Sequence, residues 1–150
     1  MRILVDADSC PVLPEILHLA KERNLPVILV CNFNHEIQPP DFGELIVVDN
    51  TPEAADMALM NRSEPGDLVV SGDYGLACML LGKKANVISP RGTVFSDRNI
   101  DRLMARRHFA RKERQKGKYQ RGPRPFSDED RKRFLDTILS LLPPIERGNS

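Results

Sequence analysis

The sequence predicts an α/β protein: a three-layer α/β/α sandwich around a mostly parallel five-stranded sheet, followed by a basic helical extension. Three observations predict it. Short apolar runs rich in Val and Ile alternate with segments of helical spacing. Those runs are apolar without interruption, as expected of strands covered on both faces. At 150 residues the chain is long enough for one well-buried core without disulfide or metal support.

Arg2-Ile-Leu-Val-Asp6 is the first strand. Pro11 and Pro14 suit the first turn of a helix, which carries Ile16, Leu17, Leu19 and Ala20 and ends near Asn24. Pro26-Val-Ile-Leu-Val30 is the second strand. A polar loop with Pro39-Pro40 runs from Asn32 to Glu44. Leu45-Ile-Val-Val48 is the third strand. The loop before it shows no helix, so the direction of one strand stays open. Thr51-Pro52-Glu53 reads as N-cap, first-turn proline and first-turn acid, opening a helix to about Asn61. Leu68-Val-Val-Ser71 is the fourth strand, Gly72 to Leu81 a turn with a short helix, and Val87-Ile-Ser89 the fifth strand. Ser96 or Asp97 caps a further helix through His108. Gly117 to Pro125 reads as a mobile loop. Ser127-Asp-Glu-Asp130 caps an amphipathic helix stopped by Pro143-Pro144. The expected division is an α/β domain over 1–97 and a basic helical extension over 98–150, packed on the same domain.

Composition excludes several classes. Apolar residues are 41% and charged residues 29%, ordinary values for a globular chain. The longest apolar runs, such as Leu76–Leu81, are far short of the ~20 residues of a membrane span. No signal-peptide pattern opens the chain. The three cysteines, Cys10, Cys31 and Cys78, lack CxxC spacing, which argues against a disulfide framework or zinc site and for a cytoplasmic protein. Cys10 reads as structural, with no positioned histidine to activate it.

The net charge of +1 conceals a division. Residues 1–97 carry 7 Lys/Arg and 14 Asp/Glu, residues 98–150 carry 15 and 7. A basic arm on an acidic body suggests a polyanionic partner, nucleic acid first, although an Arg-rich solvated helix packed on acidic protein would look the same.

In open α/β sheets ligands bind beyond the carboxyl ends of the strands. Acids stand at that edge: Asp6 and Asp8 after the first strand, Asp49 after the third with Asp56 on the following helix, and Asp73 after the fourth. Ser89-Pro-Arg91-Gly92-Thr93 follows the fifth. Taken singly, Asp8 and Asp73 read as caps of the next helix, Asp49 as a cap or turn residue, and Asp56 as a solvated helix residue. Together they repel: two carboxylates ~4 Å apart cost roughly 4 kcal/mol near a protein surface. Either some are protonated or a cation sits among them. Oxygen ligands without a Cys/His set favour Mg²⁺ or Mn²⁺, which bind phosphodiester oxygens and lower the pKa of water.

The motifs Val5-Asp-Ala-Asp-Ser-Cys-Pro11, Glu53-Ala-Ala-Asp56, Gly72-Asp73-Tyr-Gly-Leu-Ala77, Arg91-Gly-Thr93 and Gly122-Pro-Arg-Pro-Phe-Ser-Asp-Glu-Asp-Arg131 resemble the YaiI/YqxD family of bacterial proteins, whose activity is uncharacterised. The resemblance implies a PIN-like fold, similar to metal-dependent ribonucleases with acids at the carboxyl edge of the sheet. It implies that Asp6, Asp56 and Asp73 bind metal. Tyr74 and Gly75 stand where many PIN nucleases have a further acid, so Asp8 substitutes for it or the site holds one metal.

The sequence therefore suggests a Mg²⁺- or Mn²⁺-dependent nuclease acting on RNA. Asp6, Asp8, Asp56 and Asp73 form the catalytic set, Arg91 and Thr93 hold phosphate, and Arg106, Arg107, Arg111, Lys112, Arg114, Lys116 and Lys118 track the backbone. Tyr74, Phe109, Tyr119 and Phe126 are candidates for base stacking. The alternatives are a non-catalytic RNA- or ribosome-binding protein on an inactive PIN-like scaffold, and a phosphatase with Asp6 as nucleophile. The sequence leaves the oligomeric state open.

Overall fold

The computed structural model describes residues 1–34, 37–38, 40–51, 53–115 and 124–145. His35, Pro39, Pro52, Lys116, Lys118, Tyr119 and residues 117–123 of the loop expected from Gly117 to Pro125 lie outside the described residues, as does the side chain of Arg114.

Among the described residues six strands form one sheet: β1 (Ile3–Asp6), β2 (Val27–Asn32), β3 (Gly43–Val48), β4 (Leu68–Val70), β5 (Asn86–Ile88) and β6 (Val94–Phe95). Their order is β3-β2-β1-β4-β5-β6. All neighbours are parallel except β5 and β6. Among the described residues five α-helices accompany them: α1 (Leu13–Glu22), α2 (Ala54–Arg62), α3 (Tyr74–Gly82), α4 (Ile100–Gln115) and α5 (Asp128–Leu141).

Alternation within β1 divides the interior. Ile3 and Val5 point to one face, where α1 supplies Ile16 and Leu19 and α5 supplies Phe134 and Ile138. Leu4 points to the other, where α2 supplies Leu59, α3 supplies Leu76 and Leu80, and α4 begins with Ile100. A strand buried on both faces needs apolar side chains of both parities, which is why its sequence shows no polar alternation. Phe134 is fully buried. Its truncation to Ala would cost about 3–5 kcal/mol.

Two expectations are corrected and one open point is decided. The sheet has six strands, not five. The sixth, Val94–Phe95, has only two residues, too few to show a period. It turns back on β5 through Gly92 at φ +92°, with Ser89 N–H donating to the Thr93 carbonyl at 2.9 Å and Gly92 N–H to the Ser89 carbonyl at 2.9 Å. The strand of open direction, β3, is parallel to β2. Ten residues separate them, and an extended chain of that length reaches ~33 Å, enough to return along a six-residue strand. Gly43 begins β3 where a Cβ would stand 2.8 Å from the Val27 carbonyl oxygen, so only glycine fits. Finally, two helices start later than expected, α2 at Ala54 and α4 at Ile100. Before α4, Ser96 N–H donates instead to Asn99 Oδ1 at 2.9 Å.

Away from the carboxyl edge, Asp67 ties the start of β1 to the turn before β4. It is buried and accepts from Arg2 Nη2 at 2.7 Å and from Glu64 N–H at 2.9 Å. Burial pushes its pKa up, but Arg2 and the Glu64 amide outweigh that and hold it below the ordinary value.

Candidate active site at the sheet's carboxyl edge

The order β3-β2-β1-β4-β5 reverses direction between β1 and β4. The crevice at such a reversal is where open α/β sheets bind ligands, because the connections leave it to opposite faces. Asp6 ends β1, and a 3-10 turn, Ala7–Ser9, carries Asp8. Asp73 follows β4 and caps α3, accepting from Leu76 N–H at 2.9 Å. Asp56 lies in the first turn of α2.

These acids share one region. Asp6, Asp8, Asp56 and Asp73 line a cavity of about 370 Å³ with Ser9, Asn32, Asp49 and Thr51. Asp6 and Asp73 also line a second, larger cleft of about 920 Å³. The pair therefore stands where the two openings meet. Burial first, then the charges of Asp56, Asp8 and Asp73, push the Asp6 pKa up to about 6, against a hydrogen bond from Ser9 that favours the ionised form. Burial and the charge of Asp73, then Glu53, raise that of Asp56. Asp8 accepts from Asn32 N–H at 2.7 Å, tying the turn after β1 to the end of β2. Asp73 thus caps the next helix, as expected of a lone acid after a strand, while belonging to the cluster; Asp8 does not cap α1, whose N-cap is Val12, and binds the neighbouring strand instead.

The donors are hard oxygens, the set that suits Mg²⁺ or Mn²⁺. Among the described residues, however, no three His, Cys, Asp or Glu side chains gather closely enough to hold one metal ion. The set Asp6, Asp56 and Asp73 is coupled by charge but looser than a closed metal cage.

The larger cleft has the opposite character. Arg106, Arg107 and Arg111 line it with Leu103 and Ala110, one face of α4 at helical spacing. Arg91 and Thr93 line it as well, with Tyr74, Phe95 and Phe126. The Arg107 guanidinium lies 5.5 Å from the centre of the Tyr74 ring, which meets Phe95 edge-on at 5.5 Å. Lys112 is exposed on α4 and is not among the residues of the cleft wall. Phe109 is 62% exposed and also outside the wall. Arg91 is partly engaged, donating to Asp130 Oδ2 at 3.1 Å.

Sequence reasoning missed Ser9 and Asn32 as neighbours of the acids. It read Asp130 only as a helix cap, although the capping signature Ser127-x-x-Asp130 did mark the residue. Burial chiefly pushes the Cys10 thiol up to about 12, which disfavours the thiolate. Among the described residues no helix is long and apolar enough to cross a membrane.

Residues 4–143 match the family model described as "Uncharacterized BCR, YaiI/YqxD family". A UPF0178 protein of Clostridium novyi is 43% identical over 142 residues, covering 95% of each chain. A UPF0178 protein of Listeria monocytogenes is 43% identical over 141 residues, covering 94% of this chain and 95% of the other. Among solved structures, a tryptophan-to-leucine mutant of Rae1 (YacP) from Bacillus subtilis is similar over 93% of this chain and 99% of its own, with a TM-score of 0.46 and 15% identity. That likeness concerns the course of the chain and says nothing of chemistry. With a family model spanning all but the ends, and relatives this similar over nearly their full length, the chain belongs to the YaiI/YqxD family.

Proposed function

We propose that the protein is a divalent-metal-dependent nuclease acting on RNA. The observation that carries this reading is the junction at Asp6 and Asp73, where an acidic cavity opens into a cleft walled by Arg91, Arg106, Arg107 and Arg111. A phosphodiester strand needs both environments: guanidiniums for its phosphates, and acids where one phosphate is attacked. The elevated pKa of Asp6, raised first by burial and then by the charges of Asp56, Asp8 and Asp73, supports it too, because a bound cation would favour the ionised form against both.

Asp6, Asp56 and Asp73 would hold Mg²⁺ or Mn²⁺. Mg²⁺ in particular keeps several waters and takes only one or two carboxylates beside substrate phosphates. When bound, the metal would supply Lewis acidity and an activated water. Asp8 completes the acidic set and orients water. Arg91 and Thr93 hold the neighbouring phosphate, and the α4 arginines hold the strand.

The test is cleavage of end-labelled RNA with Mn²⁺ by the wild type and by Asp6→Asn, with binding measured in parallel. Loss of cleavage with binding retained is expected. RNA bound but never cut by the wild type would favour a non-catalytic RNA-binding protein, the reading that the looseness of the acid set favours. A phosphatase reading has less support. It needs a lysine beside the acids, and Lys83 is engaged elsewhere, donating to the carbonyls of Met60 and Ser63 at 2.6 Å each.

A further inference from the structure

Two stretches that the sequence singles out, Arg91-Gly-Thr93 and, from its described part, Arg124 to Arg131, meet at one buried carboxylate. Asp130 is fully buried. Its Oδ2 accepts from Arg91 Nη1 at 3.1 Å, Arg124 Nη1 at 2.6 Å and Ser127 N–H at 3.0 Å. Its Oδ1 accepts from Arg124 Nη2 at 2.5 Å and Arg133 Nη1 at 3.2 Å. A capping box requires only the contact with Ser127 and its reciprocal, the Asp130 N–H to Ser127 Oγ at 3.2 Å. Three guanidiniums on one carboxylate exceed that need, and a buried ion pair is a poor means of stabilising a fold.

Of the three arginines, Arg91 lines the cleft that Asp6 and Asp73 enter. It is held on several sides. Nη1 reaches Asp130, Nη2 donates to the Arg124 carbonyl, and the guanidinium carbon lies 6.0 Å from the Phe126 ring centre. Its backbone is held as well. A Cβ on Gly92 would stand 2.9 Å from the Arg133 backbone and from Phe134 N, so this loop rests directly on α5. A guanidinium has five N–H donors, so these contacts fix its plane and leave donors for an anion.

We infer that Asp130 is a positioning residue, which holds the Arg91 guanidinium in the cleft wall in the orientation that takes a phosphate oxygen of the bound strand. The phosphate half of this inference rests on the nucleic-acid reading of the cleft; the ordering of Arg91 does not. Asp130 touches no substrate and acts through Arg91.

The experiment combines a double-mutant cycle with NMR of the arginine side chain. The affinity of a short single-stranded oligoribonucleotide, without divalent metal, is measured for the wild type, Asp130→Asn, Arg91→Ala and the double variant. Asp130→Asn is expected to weaken binding about tenfold, with no further loss when it is added to Arg91→Ala. Additive losses, or no loss in Asp130→Asn, overturn the proposal. Ser127→Ala removes the cap while leaving Arg91 untouched. It is expected to lower Tm with little change in affinity, whereas a loss equal to that of Asp130→Asn would assign the effect to the helix start and overturn the positioning role. The Arg91 Nε–H signal, assigned by its disappearance in Arg91→Lys, needs no RNA. It is expected to report an ordered side chain in the wild type and a mobile one in Asp130→Asn. Unchanged order there overturns the proposal whether or not RNA binds. A wild type that binds no RNA refutes the nucleic-acid reading and the phosphate role together, and the NMR arm then decides whether Asp130 orders Arg91. Should Asp130→Asn fail to fold, Asp130→Glu keeps the charge, displaces it by one methylene and is read in the same way.

Discussion

The Asp73 carboxylate accepts the backbone N–H of Leu76 at 2.9 Å and lines, with Asp6, both cavities at the carboxyl edge of the sheet. One side chain thus starts α3 and contributes charge to the candidate site. The two roles separate by substitution. Asparagine caps as well as aspartate, so Asp73→Asn should retain stability and lose Mn²⁺-dependent cleavage. Asp73→Ala should lose the activity and also about 1 kcal/mol of stability. Denaturant unfolding of the two variants checks this, and equal stability of both would remove the cap from the account.

Asp6 carries the pH dependence. Its folded pKa, about 6, lies above the ordinary carboxylate value of 3.8, so its neutral form is the one the fold favours. The contribution is fully present below pH 3.8 and is lost as pH rises through about 6. Two units correspond to about 2–3 kcal/mol. Asp67 and Asp130 run the other way. Their pKa values are lowered, Asp67 by Arg2 and the Glu64 amide against the effect of burial, and Asp130 foremost by Arg124. Their support is present above the ordinary value and lost as pH falls through the lowered one. Stability should therefore peak in mildly acidic solution. Asp6→Asn should be more stable than the wild type near neutrality by about 1–2 kcal/mol, with the difference vanishing near pH 4. Melting curves across pH test it, and an Asp6→Asn variant less stable near neutrality would show that burial and the neighbouring acids do not disfavour the ionised Asp6. Mg²⁺ or Mn²⁺ should stabilise the wild type at neutral pH more than this variant.

Salt dependence probes the cleft wall. On a single strand each phosphate contact contributes about −0.7 to the slope of log K against log[salt]. Arg106→Ala, Arg107→Ala and Arg111→Ala, which alter the lined face of α4, should each make the slope shallower by about that amount. Lys112→Ala, on the same helix but outside the wall, should leave it unchanged. Equal effects from all four would mean that the strand is held by the helix surface and not by the cleft.

Gly92 has φ +92°, and a Cβ there would meet the Arg133 backbone at 2.9 Å. Gly92→Ala should therefore destabilise by more than about 1 kcal/mol and weaken RNA binding, because the loop that carries Arg91 must lift from α5. Gly66 has a similar φ of +88° but open space around the position of a Cβ. Gly66→Ala should cost stability alone. Unfolding and RNA affinity measured side by side distinguish the two.

Much of this was legible in the sequence because it depends on neighbours along the chain. The apolar runs at Ile3–Val5, Val27–Val30 and Leu68–Val70 announce buried parallel strands, since no polar residue is tolerated on either face. Ser127-x-x-Asp130 announces a helix start, since capping is a matter of a few consecutive residues. That acids would gather at one edge also followed, because every parallel strand presents its carboxyl end on the same side. The tertiary structure decided what depends on partners far away in the chain. Val94–Phe95 is a strand only because β5 lies beside it. Arg91 is oriented by Asp130, 39 residues further on, and no local pattern encodes such a pairing. The distances among Asp6, Asp56 and Asp73, which leave them coupled but uncaged, are set by how α2 and α3 pack on the sheet. Sequence determines which groups reach an edge, and packing determines how closely they meet.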